Sequence, residues 1–251
     1  MAANLGHRSA AGGRQRALSW RLDGRDRAQE PDPRHGHRII EVASARVDAD
    51  NWENFLIHTE RFTPSLEDYA RGEARAYEVN GYRPKHADWE DAPELDTPEA
   101  VELWSQVAKR LHLAPMVGYN TRFDAKFIWE ELARHKVTRV NGSTPYDGDD
   151  IKGSPWQGYS WDVMDFSRAI MKKAGRRGYK LSVTYEEVCK GPPLPPHRAE
   201  ADVLRTLWVL AEGKAQFPEI WPDFKVNQDA IKQAVTVWCE RREREPGGVL
   251  F

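Results

Sequence analysis

The run APMVGYN (residues 114–120) is apolar without alternation, and it passes almost directly into FDAKFIWEELARH (123–135), whose apolar residues recur at helical spacing. A strand with no polar side must be covered on both faces. It belongs inside a sheet that carries helices on each side. Two strand-like runs precede it, RIIEVASARVD (38–48) and NFLIHTERF (54–62), joined by the polar turn DADN. They predict an antiparallel meander. Strands first, then strand alternating with helix, predict an α/β fold: a mixed sheet flanked by helices.

The remaining elements follow from periodicity and end signals. TPEAVELWSQVAKRL (97–111) opens with Thr97 as N-cap and Pro98 at the first helical position, and Val101, Leu103, Trp104, Val107 and Leu111 trace one face. WDVMDFSRAIMKKA (161–174) reads as helix, as does LSVTYEEVCK (181–190) with an N-cap near Ser182. HRAEADVLRTLWVLAEG (197–213) is the last core helix, and DAIKQAVTVWCERRERE (229–245) is an added C-terminal helix that either covers the sheet or docks a partner. Residues 63–100 and 141–160 are long connections. This divides the chain into residues 1–37, a core domain over 38–213 and a helical extension over 214–251.

The first segment differs from the rest. Residues 1–38 hold eight arginines, three histidines and no lysine. Within them only ALSWRL (17–22) alternates like a strand. Two readings stand open for this segment: a disordered basic tail, strongest for residues 1–15, or a stretch outside the natural reading frame.

Composition excludes several classes. No apolar run approaches a membrane span, so no membrane partner is expected. The two cysteines, Cys189 and Cys239, argue against a disulfide framework or a four-cysteine zinc site and fit a cytoplasmic protein. A net charge of −2 gives no global pull toward nucleic acid, so any grip on phosphate must be local.

Three places carry chemistry. Asn120 and Asp124 stand where the buried strand turns into a helix, at the end of a sheet where α/β proteins bind ligands. The plain alternative is an acid that favours a helix N-terminus. Asp202 lies among Ala199, Ala201, Val203 and Leu204, where a carboxylate is costly unless it is paired or metal-bound. His197, five residues earlier, follows the proline-rich PPLPP. A carboxylate and a nearby base suit metal-assisted hydrolysis; a salt-bridged acid and a surface histidine are the alternative. MKKAGRRGYK (171–180) gathers five cations around two glycines, including Arg176 and Arg177: a phosphate-tracking loop or a solvated turn.

Together, VGYNTRFDAKF and HRAEADVLRT resemble the second and third motifs of the DEDD exonuclease superfamily, of the DnaQ-like type that includes the polymerase III epsilon subunit and RNase T, in its histidine-bearing subclass. RIIEVASARVD is similar to that family's second strand, and the resemblance runs from about Arg38 to Leu210. It implies a ribonuclease H-like fold and 3′-to-5′ exonuclease activity, on DNA ahead of RNA, with single-stranded or 3′-end DNA as partner and a polymerase or other replication protein as a further one. It implies two Mg²⁺ or Mn²⁺ ions held in part by Asp124 and Asp202, His197 as the base that activates water, and Asn120 and Phe123 beside the substrate. The family's first motif, Asp-x-Glu on the first strand, is not found. Asp23 and Asp26 are the candidates for a partial replacement, but Arg25 and Ala28 stand where the glutamate is expected, and Glu30-x-Asp32 has the acids in the wrong order. A catalytically impaired protein that binds nucleic-acid ends is the alternative.

Overall fold

The computed structural model describes residues 9–10, 38–48, 51–65, 89–111, 116–137, 160–195 and 198–244. β2 (Glu41–Asp48) and β3 (Asn51–Arg61) form the expected antiparallel hairpin, from Glu41 opposite Arg61 to Asp48 opposite Asn51. β3 begins at Asn51, opposite Asp48, and so is longer than the sequence pattern predicts. β1 (Ser9–Ala10) pairs antiparallel with the other side of β2 and lies beside β4 (Met116–Gly118). Ser9 and Ala10 fall within residues 1–15, for which a disordered tail is one of the two readings, and here they pair with Arg46 and Ala45. ALSWRL, the expected first strand, and with it Asp23 and Asp26, lies outside the described residues. β4 pairs parallel with β5 (Ser160–Asp162). Among the described residues the strands thus form two small sheets, an antiparallel one in the order β1–β2–β3 and a parallel pair, β4–β5, which come together where β1 lies beside β4.

Strand alternation sends side chains to two separate cores. From β2, Val42 enters one cluster, while Ala43 and Ala45 enter the other; from β4, Met116 and Val117 divide in the same way. The first face is covered by α1 (Pro98–Leu111) and α2 (Thr121–Arg134), with Trp104, Phe127, Ile128 and Leu132 buried against Ile39 and Phe62. The second carries α3 (Met164–Lys173), α4 (Leu181–Val183), α5 (Ala199–Gln216) and α6 (Gln228–Arg244). Helices on both faces of antiparallel and parallel strands agree with the α/β class that the sequence predicts, but the described strands make two small sheets where one mixed sheet is expected. α6 packs on α5 and β3, so it covers the body of the protein.

Two helix expectations need correction. Trp161 and Asp162 belong to β5, not to the helix that follows; Gly118 accepts a bond from the Val163 amide, which extends the pairing with β4. The segment after Tyr179 starts its helix at Leu181 with Lys180 as cap residue, and Ser182 lies inside the turn. It then widens to a π-helix over Thr184–Val188. Thr97 does cap α1: its Oγ1 accepts from the Ala100 amide at 3.4 Å.

Candidate active site

The second motif sits at the carboxyl end of β4. Asn120, the residue before α2, has φ 62° and ψ 51°, a left-handed conformation that asparagine tolerates better than most residues. Its carbonyl accepts from the Phe123 amide at 2.9 Å, and its own amide donates to Asp162 Oδ1 at 2.9 Å. The same Asp162 oxygen accepts from the Met164 amide at 3.0 Å. One carboxylate at the end of β5 thus fixes both the entry to α2 and the start of α3. Asp162 is a residue that sequence reasoning missed, because its partner lies 42 positions away.

Asp124 falls in the first turn of α2 and is buried, 1% exposed. The positive end of the helix favours an acid there. Phe123 is half-buried and packs its ring on Phe127, centroids 4.8 Å apart, at the edge of the first core.

The third motif is built around buried ions. Asp202, in the first turn of α5, is 4% exposed and pairs with Arg205 Nη1 at 3.2 Å, one helical turn on. The acid that looked costly in an apolar stretch is therefore ion-paired. Glu41, at the start of β2, is equally buried: its Oε2 accepts from the Ala199 amide at 2.9 Å, and its Oε1 meets Arg61 at 3.0 Å and Arg198 at 3.2 Å. Glu41 thereby caps α5 from a strand 158 residues away and ties the third motif to the sheet. No local pattern signals such a contact. His197 lies outside the described residues.

The basic loop turns at Gly175 and Gly178, whose φ values of 65° and 83° suit glycine. Arg176 forms an exposed ion pair with Glu187, and Arg177 is exposed beside it. Tyr179 is exposed beside them, with the Arg168 guanidinium 4.9 Å from its ring centre.

Among the described residues, no three histidine, cysteine or carboxylate groups come together to hold a metal ion. Neither Ser9 nor Ala10, the described residues of the strand next to β2, is an acid. Asp124 and Asp202 with their described neighbours do not by themselves fit a metal pair. Both cysteines are free thiols, and burial pushes the Cys189 thiol up to about 12, so it stays protonated at neutral pH. Among the described residues no helix is long and apolar enough to cross a membrane.

No curated protein matches this sequence. Among solved structures it is similar to a 3′-exonuclease described in "3'-end specific recognition of histone mRNA stem-loop by 3'-exonuclease", with TM-score 0.53 and 11% identity, covering 85% of this chain and 65% of that one. It is similar to a full-length 3′-exonuclease, with TM-score 0.50 and 10% identity, over 85% of this chain and 83% of that one. It is also similar to E. coli Exonuclease I in complex with a dT13 oligonucleotide, with TM-score 0.51 and 17% identity, over 86% of this chain and 42% of that one. The chain thus spans less than two thirds of two of these three proteins. At such identities the likeness shows the fold, which is ribonuclease H-like. The sequence profile of the RNase T exonuclease family matches residues 28–210, most of the chain and both motifs, and the protein belongs to that exonuclease family.

Proposed function

We propose that the protein hydrolyses phosphodiester bonds at nucleic-acid 3′ ends, releasing nucleotides in the 3′-to-5′ direction. The observation that carries this reading is the placement of Asp124 and Asp202: two buried acids, each in the first turn of a helix, at the two motif positions of an exonuclease-family chain. The similarity to 3′-exonucleases supports the same reading. His197 takes the proton of the attacking water as the new P–O bond forms and the bond to the preceding 3′ oxygen breaks. Arg177, with Arg176, meets the phosphates behind the terminal nucleotide, and Asn120 and Phe123 line the place of the terminal nucleotide itself. The substrate is DNA first and RNA second. A replication polymerase is the partner that this reading suggests.

This activity calls for Mg²⁺ or Mn²⁺ as two ions. Asp124 and Asp202 would contribute to holding them, and further donors must come from outside the described residues, with Asp23 and Asp26 the candidates. A second reading has its own support: Asp202 is engaged by Arg205, and the described donors fall short of a metal site. On that reading the protein binds 3′ ends without cutting them.

One experiment separates the two. A 5′-labelled oligonucleotide, as DNA and as RNA, is incubated with the protein in Mn²⁺, Mg²⁺ or EDTA. A ladder of shortened products that EDTA and Asp202→Asn both abolish is the expected result. Retained binding to 3′ ends with no ladder establishes the non-cutting reading, and neither ladder nor binding sinks both.

A further inference from the structure

The residues just before His197 form a segment that cannot hold itself. In Gly191–Pro195, Pro192, Pro193 and Pro195 have no amide hydrogen, so the run offers carbonyl acceptors and almost no donors. Four consecutive carbonyls nevertheless find side-chain donors, from three different elements. Tyr185, on the π-helix, donates its hydroxyl to the Pro192 carbonyl at 2.5 Å. Cys239, on α6, donates weakly to Pro193 at 3.7 Å. Arg205, on α5, donates through Nη2 to Leu194 at 2.9 Å and to Pro195 at 3.2 Å. The other arm of the same guanidinium holds Asp202.

Arg205 is only 2% exposed. Burying a guanidinium costs several kcal/mol, and an apolar residue of similar volume would fill the space at lower cost. Its planar fork explains the choice. One arm points at the motif acid and the other at the chain that leads to the motif histidine, in a fixed geometry that the compact ammonium of lysine cannot span. The surroundings are rigid as well. A Cβ added at Gly191 would stand 2.2 Å from the Tyr185 ring, so the run lies hard against the residue that holds its first carbonyl. Trp238 Nε1 donates to Glu200 at 2.8 Å, which anchors α6 beside the start of α5.

We propose that Arg205 is a positioning residue, which ties the proline-rich run ahead of His197 to Asp202 and acts on His197 through that run. Its catalytic consequence rests on the exonuclease reading; the structural claim does not. Tyr185, whose ring centre lies 5.8 Å from the Arg205 guanidinium, serves the same end through the Pro192 carbonyl.

The test uses the full chain with Arg205→Lys and Tyr185→Phe, the latter losing only a hydroxyl. Two readouts are taken: steady-state 3′-end trimming, and the ring Cε1–H resonance of His197, identified among the eight histidines by its loss in His197→Gln. The expected result is a kcat lowered roughly 10- to 10²-fold at unchanged KM, smaller for Tyr185→Phe, with the His197 resonance shifted and those of His58 and His135 in place. A His197 resonance that stays put in both variants overturns the proposal whether or not the wild type cuts. So does unchanged kcat in an active enzyme. A wild type that does not trim defeats the exonuclease reading alone, and the resonance then decides the positioning role.

Discussion

Glu131 shows what a buried carboxylate demands of its neighbours. It is fully buried on α2 and meets Arg38 Nε at 2.9 Å, Arg134 at 3.0 Å and the Ile39 amide at 3.1 Å, with His135 at 3.6 Å. Burial alone would push its pKa up; His135, Arg38 and Arg134 together outweigh that and hold it below the ordinary glutamate value of 4.5. The charged form is therefore the one that stabilises the fold. That contribution is complete above the ordinary value and is lost as pH falls through the lowered one. Glu131→Ala should cost about 3–5 kcal/mol at neutral pH by stripping a buried cation of a partner, measured by urea denaturation. The cost should shrink on acidification below the ordinary glutamate pKa; a cost that holds constant with pH would deny Glu131 its charge in the fold. At the site itself, His197→Ala should lower the trimming rate by roughly 10²–10⁴-fold if His197 is the base. An unchanged rate would remove it from that role.

Among the elements, what the sequence revealed depended on how locally each is determined. α1 is written in its own residues: Thr97 caps it, Pro98 starts it and the apolar stripe faces Phe62. Trp161 and Asp162 of β5 read as helix in the sequence because three residues carry too little pattern and the strand's conformation comes from pairing with β4, more than 40 positions earlier. The π-turn at Thr184–Val188 was likewise invisible, since Tyr185 is held from outside by the Pro192 carbonyl. The site divides in the same way. The positions of Asp124 and Asp202 are legible from their motifs, whereas Glu41 and Asp162, which hold the motifs in place, act across 158 and 42 positions, distances that no local spacing records. Gly213 carried no signal either, yet a Cβ there would stand 2.4 Å from the Phe166 ring. It lets α5 and α3 approach closely. Gly213→Ala should destabilise by about 1–3 kcal/mol despite alanine's better helix propensity, and a raised denaturation midpoint would show that α3 yields freely.

Across the whole molecule, the two faces of the sheet differ in how they are closed. α1 and α2 complete one face within the family-matched residues 28–210, but the other depends on chain beyond them. Phe224, Ile231 and Val235 are all but fully buried there: Phe224 packs on Trp161, and α6, which carries the other two, packs on α5 and β3. Each large apolar side chain so placed contributes about 1.5–3 kcal/mol, so removing the chain after Gln216 takes away an amount comparable to the stability of a domain. The truncated protein should lose its near-ultraviolet circular dichroism at room temperature; a truncated form that keeps it would make the extension an accessory.

Trp161 on β5 and Trp221 in the segment between α5 and α6 have ring centres 5.0 Å apart and planes inclined by 58°. Two indoles this close and this skewed share their electronic excitation, and a skewed pair of coupled transitions splits into bands of opposite sign. The seated extension therefore carries its own optical signature, a circular dichroism couplet in the indole region that only the docked state produces. Loss of that couplet ahead of the helical signal on heating would mark the extension as the first part of the fold to let go.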